Sequence, residues 1–197
     1  MTPALAVFLK APRPGTVKTR LAAEVGDRHA LRLYRVMAAR LLAAARQAGL
    51  DPSIWYTPAD AGPEMRHWLG EELTMRPQAS GDLGARLAAA VHAVDPGRGW
   101  LAVGADCPRL DARLLREAAE AIGDGHLVLG PTMDGGYYLV GGRAPLPDIW
   151  SDMPWSTDRL LDATRARLAA AGLAWRELKL LRDVDTAADA RAEGLLT

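Results

Sequence analysis

The sequence predicts an α/β protein, a three-layer α/β/α sandwich around a mixed, mostly parallel sheet, and three observations predict it. Short apolar runs at residues 4–9, 52–57, 100–104 and 126–130 alternate with amphipathic stretches of helical period, the pattern of repeated βα units. Two apolar runs late in the chain, residues 126–130 and 137–140, lie too close together to hold a crossover helix, so one of them runs antiparallel to the rest. The charged and glycine-rich segments each follow an apolar run, which places them at the carboxyl ends of strands, where open α/β sheets keep their ligand crevice.

Each element follows in order. Residues 4–9 read as the first strand. Residues 27–49 carry Leu31, Leu33, Tyr34, Met37, Leu41 and Leu42 at helical spacing and close on Gly49, which predicts one long helix. Residues 52–57, with Ile54, Trp55 and Tyr56, form the next strand, residues 62–70 a short helix around Met65, Trp68 and Leu69, and residues 73–76 a weaker strand. A helix opens in residues 81–86 and runs to about Val94; residues 100–104 are a buried strand ending at Asp106-Cys107-Pro108; residues 111–122 are a helix with Leu114, Leu115 and Ala118 inward. After the two close strands, residues 145–155 are irregular and Trp-rich, 157–171 helical, and 175–181 a strand. Thr186 and Asp189 stand at capping-box spacing at the start of the last helix. Neither an internal repeat nor a linker interrupts the chain, so residues 1–197 read as a single domain.

Composition narrows the function. Lys+Arg and Asp+Glu balance at 24 each, so a duplex-binding or membrane-surface role lacks its usual global electrostatic footprint and no nucleic-acid partner is expected. One cysteine, Cys107, excludes an intrachain disulfide and a Cys-based zinc site, in keeping with a reducing compartment. No apolar run approaches spanning length, and Lys10 and Arg13 directly after the first short run do not fit a signal peptide, so a cytoplasmic protein without a membrane span is expected.

The chemistry starts in the loop after the first strand. Residues 8–21 place Lys10, Arg13, Lys18 and Arg20 around Pro12, Pro14 and Gly15 just before a helix begins. The prolines stiffen the loop, Gly15 permits a positive φ or a close approach, and the amides near the helix start suit an anion, phosphate above all. A P-loop is excluded because Val17 stands where that motif needs glycine before Lys18-Thr19, and no GxGxxG dinucleotide fingerprint is present. The competing reading is a solvated basic turn, yet such a turn gains nothing from the mutual repulsion of four cations.

Carboxylates at the other strand ends complete the pattern. Asp106 sits in Gly104-Ala105-Asp106-Cys107-Pro108, where a carboxylate beside a phosphate-binding loop is suited to share Mg²⁺ or Mn²⁺ with a nucleotide. Asp183 and Asp185 are the candidates for a second ligand, on one face if the strand continues through them; the alternative for Asp185 is a helix N-cap. Asp134-Gly135-Gly136-Tyr137 is either a functional turn or a plain one. Asp82 is either a ligand contact or an N-cap, with Gly84 allowing tight helix packing.

Together, Lys10-x-Pro12-x-x-Gly15-x-Val17-Lys18-Thr19-Arg20-Leu21, Gly81-Asp82-Leu83-Gly84-x-Arg86, Gly104-x-Asp106-x-Pro108, Asp134-Gly135-Gly136-Tyr137-x-Leu139-Val140-Gly141 and Asp183-Val184-Asp185-Thr186 resemble the small GT-A-type glycosyltransferase-like family once labelled a domain of unknown function, DUF2064. They are similar, more distantly, to the molybdenum-cofactor guanylyltransferase and phospholactate guanylyltransferase families. The resemblance implies a nucleotide-diphospho-sugar transferase fold of Rossmann-like character and a nucleotide or nucleotide-sugar donor held by Lys10, Pro12, Gly15, Lys18 and Arg20. Asp82, Gly84 and Arg86 then stand beside the ribose or base. It also implies a divalent metal at Asp106, with Asp185 ahead of Asp183 as second ligand, and Lys18, Arg20 and Asp134 as the catalytic set. A small-molecule acceptor completes the reaction, with the loop from Trp150 to Trp155 on its side unless both Trp merely cover the core edge. Pro108 stands where a glycosyltransferase's Asp-x-Asp would have its second acid. Three readings follow: glycosyl transfer from a nucleotide sugar, nucleotidyl transfer from a nucleoside triphosphate with pyrophosphate release, and a nucleotide-binding protein without turnover.

Overall fold

A computed structural model describes residues 2–145 and 148–196. In chain order the elements are β1 (Ala4–Lys10), α1 (Thr19–Val25), α2 (Asp27–Gln47), β2 (Pro52–Thr57), α3 (Gly62–Leu69), β3 (Thr74–Pro77), α4 (Leu83–His92), β4 (Gly99–Gly104), α5 (Ala112–Gly123), β5 (Leu127–Pro131), β6 (Tyr137–Arg143), α6 (Leu160–Ala170), β7 (Trp175–Glu177) and α7 (Ala187–Ala192). The seven strands form one sheet in the order β3-β2-β1-β4-β6-β5-β7. All neighbours pair parallel except β6, which runs antiparallel to both β4 and β5, as the short spacing between the two late strands required. The chain steps from β1 to β2 and β3 on one side and then to β4 on the other. The β1–β4 boundary is therefore the topological switch point, and a crevice opens at the carboxyl ends of those two strands.

Both faces of the sheet are covered. Leu5, Val7, Leu9, Ile54, Leu101 and Val103 pack with α2, α3 and α5 on one face. Trp100, Ala102, Leu129 and Val140 pack with α4, α6 and the loop carrying Trp150 on the other. Burial on two sides explains why these strands read as near-continuous apolar runs rather than strict alternation. A third cluster joins Leu21 of α1, Leu33 and Met37 of α2, Val184, and Ala187 and Ala190 of α7, and so brings the first loop and the chain's last segment together.

The departures from sequence expectation are local. The strand expected over residues 175–181 ends at Glu177, leaving one further bridge between Thr132 and Leu181. Its partner β5 itself ends at Pro131, which has no N–H to donate, and at Gly130/Pro131 β5 also shifts register against its other neighbour β6. Asp183 and Asp185 therefore do not lie on a strand, and the alternation argument for them lapses. Helix α6 begins at Leu160 rather than at residue 157, because the Thr157 hydroxyl donates back to the Pro154 carbonyl and accepts from the Arg159 N–H, closing a turn. Within the irregular stretch expected over residues 145–155, residues 146 and 147 lie outside the described residues.

Candidate active site

The basic loop is shaped by its own sequence. Arg13, Pro14, Gly15 and Thr16 close a turn in which the Thr16 N–H donates to the Arg13 carbonyl at 3.2 Å. Pro14 holds its second position and Gly15, at φ +74°, its third, where a positive φ favours glycine. Lys18 caps α1 from the left-handed region, at φ 50° and ψ 48°, an uncommon conformation for a long side chain. That geometry turns its ammonium inward: the side chain is only 6% exposed.

Lys18 Nζ lies 2.7 Å from Asp106 Oδ1 and 3.1 Å from Asp185 Oδ1. Burial by itself would lower the Lys18 pKa, but Asp106 and then Asp185 more than offset it, and the ammonium is held charged above its ordinary range. Arg20 pairs with the second oxygen of Asp185. Asp185 reaches this point because the Val184 N–H donates to the Asp106 carbonyl at 3.0 Å, docking the last segment on the end of β4, while buried Val184 packs with Leu21. Thr186, not Asp185, caps α7, in a complete capping box with Asp189, so Asp185 is free to face the cations. Asp106 is half exposed and Asp185 about a quarter, both at the rim of a cavity of about 590 Å³.

That cavity is lined by Lys10, Lys18, Arg20, Asp106, Asp185 and Arg86, together with Gln78, Tyr34, Tyr137 and Leu83. The structure thus brings together residues from the two ends and the middle of the chain. Arg13 leaves the group: it bonds Glu64 at 2.8 Å, so three of the four loop cations converge, not all four. Pro12 is buried and Gly15 exposed, and neither lines the cavity; they set the loop's path. Asp82 caps α4, its Oδ1 accepting from the Ala85 N–H at 2.9 Å. Gly84 lies against Trp155 and the Trp150 backbone rather than on the cavity wall. Trp150 itself is buried and meets Trp100 edge-on at 5.7 Å, within the core.

Asp134, expected in the catalytic set, does not line the cavity. Its Oδ1 accepts from the Thr132 hydroxyl at 2.6 Å and from the Gly136 N–H at 3.0 Å, so one oxygen closes the turn. Burial first, and then the charge of Asp134, push Asp183 up to about 6. Among the described residues no group of three or more His, Cys, Asp or Glu side chains is arranged to hold a metal ion. The protein can offer a divalent cation the carboxylates of Asp106 and Asp185, oxygen donors that already share one cationic centre. This fits a hard ion completed by water and phosphate oxygens, the usual arrangement for Mg²⁺ bound with a nucleotide.

Two contributors escape sequence reasoning. Gln78, just past β3, donates to the Leu9 and Trp55 carbonyls at 3.3 and 2.8 Å and accepts from Arg86 at 3.4 Å, placing an amide and a guanidinium side by side on the β2–β3 flank of the cavity. Tyr34, which reads as an ordinary apolar position of α2, closes the end of β1 by donating to the Lys10 carbonyl and accepting from its N–H, both at 2.9 Å. A polar residue directly after a strand was the only available signal for Gln78; Tyr34 carries none.

The comparisons agree with this architecture. The crystal structure of a "putative nucleotide-diphospho-sugar transferase" from Desulfovibrio desulfuricans G20 superposes with a TM-score of 0.92 at 32% identity, covering 98% of this chain and 87% of that one. A CMP:2-keto-3-deoxy-manno-octonic acid synthetase complexed with CTP gives 0.61 at 12% identity, covering 98% and 97%, which is a likeness of fold. Rv0371c of Mycobacterium tuberculosis H37Rv, in a complex with manganese, gives 0.56 at 20% identity, covering 99% and 98%, again a likeness of fold. No curated protein matches the sequence. A family profile matches residues 39–157, more than half of the chain, from the middle of α2 through the Trp-rich loop, and the chain belongs to that family, described as "uncharacterized protein conserved in bacteria (DUF2064)".

Proposed function

We propose that the protein is a divalent-metal-dependent transferase that uses a nucleotide-activated donor, transferring a sugar from a nucleotide sugar to a small-molecule acceptor. The observation that carries this reading is the Lys18 ammonium held between Asp106 and Asp185 at the mouth of the switch-point cavity. A buried cation bracketed by two carboxylates at a crevice rim has no evident structural need. It is the arrangement expected where a polyphosphate and its counter-ion enter and exchange partners with these groups. The likeness to a nucleotide-diphospho-sugar transferase supports the same reading.

In this scheme Asp106 and Asp185 would hold Mg²⁺ or Mn²⁺, and the ion would supply Lewis-acid neutralisation of diphosphate charge. Lys18, with Lys10 and Arg20, faces the phosphates and neutralises charge as the sugar–diphosphate C–O bond breaks. Gln78 and Arg86 offer donors and an acceptor to the base or ribose. The acceptor hydroxyl attacks the sugar carbon, a new glycosidic C–O bond forms, and the nucleoside diphosphate leaves. The Asp134 oxygen that does not close its turn receives the proton or holds a sugar hydroxyl.

A second reading, nucleotidyl transfer with pyrophosphate release, is favoured by two specific observations. Pro108 replaces the second acid of an Asp-x-Asp pair, and three cations at the first loop suit a triphosphate at least as well as a diphosphate. The deciding experiment incubates the protein with Mg²⁺ or Mn²⁺, a panel of nucleoside triphosphates and nucleotide sugars, and candidate acceptors, and measures the released anion. Nucleoside diphosphate from a nucleotide sugar is the expected product. Pyrophosphate from a triphosphate selects the second reading, and metal-independent binding with neither product leaves a nucleotide-binding protein.

A further inference from the structure

Balanced composition conceals a segregated charge. Helix α2 carries Arg28, Arg32, Arg35, Arg40 and Arg46 along its exposed side, with Asp27 at its first position as its only acid. At 3.6 residues per turn Arg28, Arg32, Arg35 and Arg46 fall within about 60° of one another, away from the buried Leu33, Met37 and Leu41, with Arg40 on the flank; from Arg28 to Arg46 the row spans on the order of 27 Å at 1.5 Å per residue. Among the described residues none of these five arginines lies within ion-pair distance of a carboxylate; the other arginines without such a partner, Arg76, Arg86, Arg98, Arg116, Arg143, Arg159, Arg167 and Arg191, are dispersed over other elements, whereas α2 gathers five on one helix. In a chain whose charges balance at 24 and 24, an unpaired cationic row on one helix is a concentration of like charge that folding alone does not reward.

The surface between the guanidiniums is apolar. A shallow hollow of about 320 Å³ is walled by Leu31, Val36 and Ala39 and rimmed by Arg28, Arg32 and Arg35, and Val36 is one of the few large apolar side chains left exposed. Three guanidiniums over aliphatic walls suit a molecule with a phosphate head and a hydrocarbon body. No aromatic side chain stands among the exposed residues of this face to stack on a base. The helix's own apolar stripe is engaged in the core, so it cannot enter a groove as a recognition helix does. A flat, anionic, amphiphilic surface remains.

We propose that the arginine face of α2 docks the protein on an anionic phospholipid bilayer, as an electrostatic peripheral contact with no inserted segment. The inference is independent of the transferase reading, since none of the five arginines lines the cavity that reading uses. The full chain is tested by co-sedimentation with vesicles of pure phosphatidylcholine and of phosphatidylcholine with a third phosphatidylglycerol. Binding to the anionic vesicles alone, weakening steeply between about 0.05 and 0.5 M salt as the screening length shrinks, is expected. Each arginine near such a surface is worth about a fivefold factor, so Arg28→Gln/Arg32→Gln/Arg35→Gln should lose about a hundredfold in partition while keeping its circular dichroism and melting point. Arg28→Lys/Arg32→Lys/Arg35→Lys should keep most of the binding, and so should Arg66→Gln/Arg113→Gln/Arg176→Gln, which removes equal charge elsewhere. Equal binding of the wild type and the first variant, or no binding to anionic vesicles at low salt, overturns the proposal. Tighter binding of a DNA duplex than of the vesicles also overturns it and reassigns the face to nucleic acid.

Discussion

Asp106 and Asp183 are neighbours with opposite demands. Asp106 is half exposed and its removal leaves Lys18 a partner in Asp185, so Asp106→Ala should shift stability by no more than about 1 kcal/mol in a urea melt. Its effect on transfer should be large, a fall in kcat/KM of about a hundredfold to a thousandfold, because the donor's counter-ion loses a ligand. Normal turnover of a confirmed substrate by that variant would remove Asp106 from the metal site. Asp183 titrates the other way round from most carboxylates. Burial and Asp134 raise it to about 6, against an ordinary value of 3.8. Between those two pH values the native chain keeps a proton that the unfolded chain has lost, so this residue's contribution makes stability fall as pH rises from about 4 to about 6. The expectation is that Asp183→Asn removes this part of the slope, read as the difference between wild-type and variant denaturation midpoints measured at pH 4, 5, 6 and 7. An unchanged difference across that window would show that Asp183 is not held protonated.

At the scale of elements, two glycines decide how the walls of the site pack. A glycine to alanine change inside a helix ordinarily gains about 0.5–1 kcal/mol. At Gly84 in α4 the added Cβ would sit 2.9 Å from Trp155 Cζ2 and 3.0 Å from the Trp150 carbonyl oxygen, neither of which yields easily. Overpacking of that kind costs about 1–3 kcal/mol and outweighs the helical gain, so Gly84→Ala should lower stability by about 1–2 kcal/mol. It should also shift Arg86, two residues further along α4 and pointing to the cavity side, and raise the donor KM. Gly135 is stricter. It adopts φ +85° and a Cβ there would fall 2.1 Å from the Asp158 carbonyl oxygen, while its own carbonyl accepts from the Leu161 N–H at 2.8 Å to seat α6. Gly135→Ala should cost about 2–4 kcal/mol, seen as a lower thermal midpoint, and should loosen the turn that carries Asp134.

Across the whole molecule, binding should couple the first loop to the last segment. The ionic contacts between the first loop, the end of β4 and the approach to α7 converge on the Lys18–Asp106–Asp185 centre, beside the packing of Leu21 on Val184, so a metal-bound nucleotide that engages all three should stabilise the fold as a unit. By mass action, ligand at a hundred times its Kd adds about 2.7 kcal/mol. The thermal shift with Mg²⁺ and a bound nucleotide together should exceed the sum of the shifts with each alone; a merely additive result would count against a shared site.

Much of this was legible in the chain. Periodicity gave the order of strands and helices, the spacing between residues 126–130 and 137–140 required the antiparallel strand seen as β6, and Thr186 with Asp189 announced the capping box that the structure contains. These are properties fixed within a few residues, by side-chain period, turn stereochemistry and backbone donors. Which cations face the cavity was not such a property. Arg13 and Lys18 look alike in the loop, but Arg13 meets Glu64 across the surface while the left-handed backbone at Lys18 swings it between two carboxylates brought from elsewhere. Gln78 and the bare arginine row of α2 were equally hidden, one because its partners lie on β1, β2 and α4, the other because summed charge says nothing of where charges stand. Sequence alone determined the layers and the end of the sheet where chemistry belongs. Only tertiary structure chose the ion partners, since a Coulomb interaction depends on distance through space, and the crossovers set that distance.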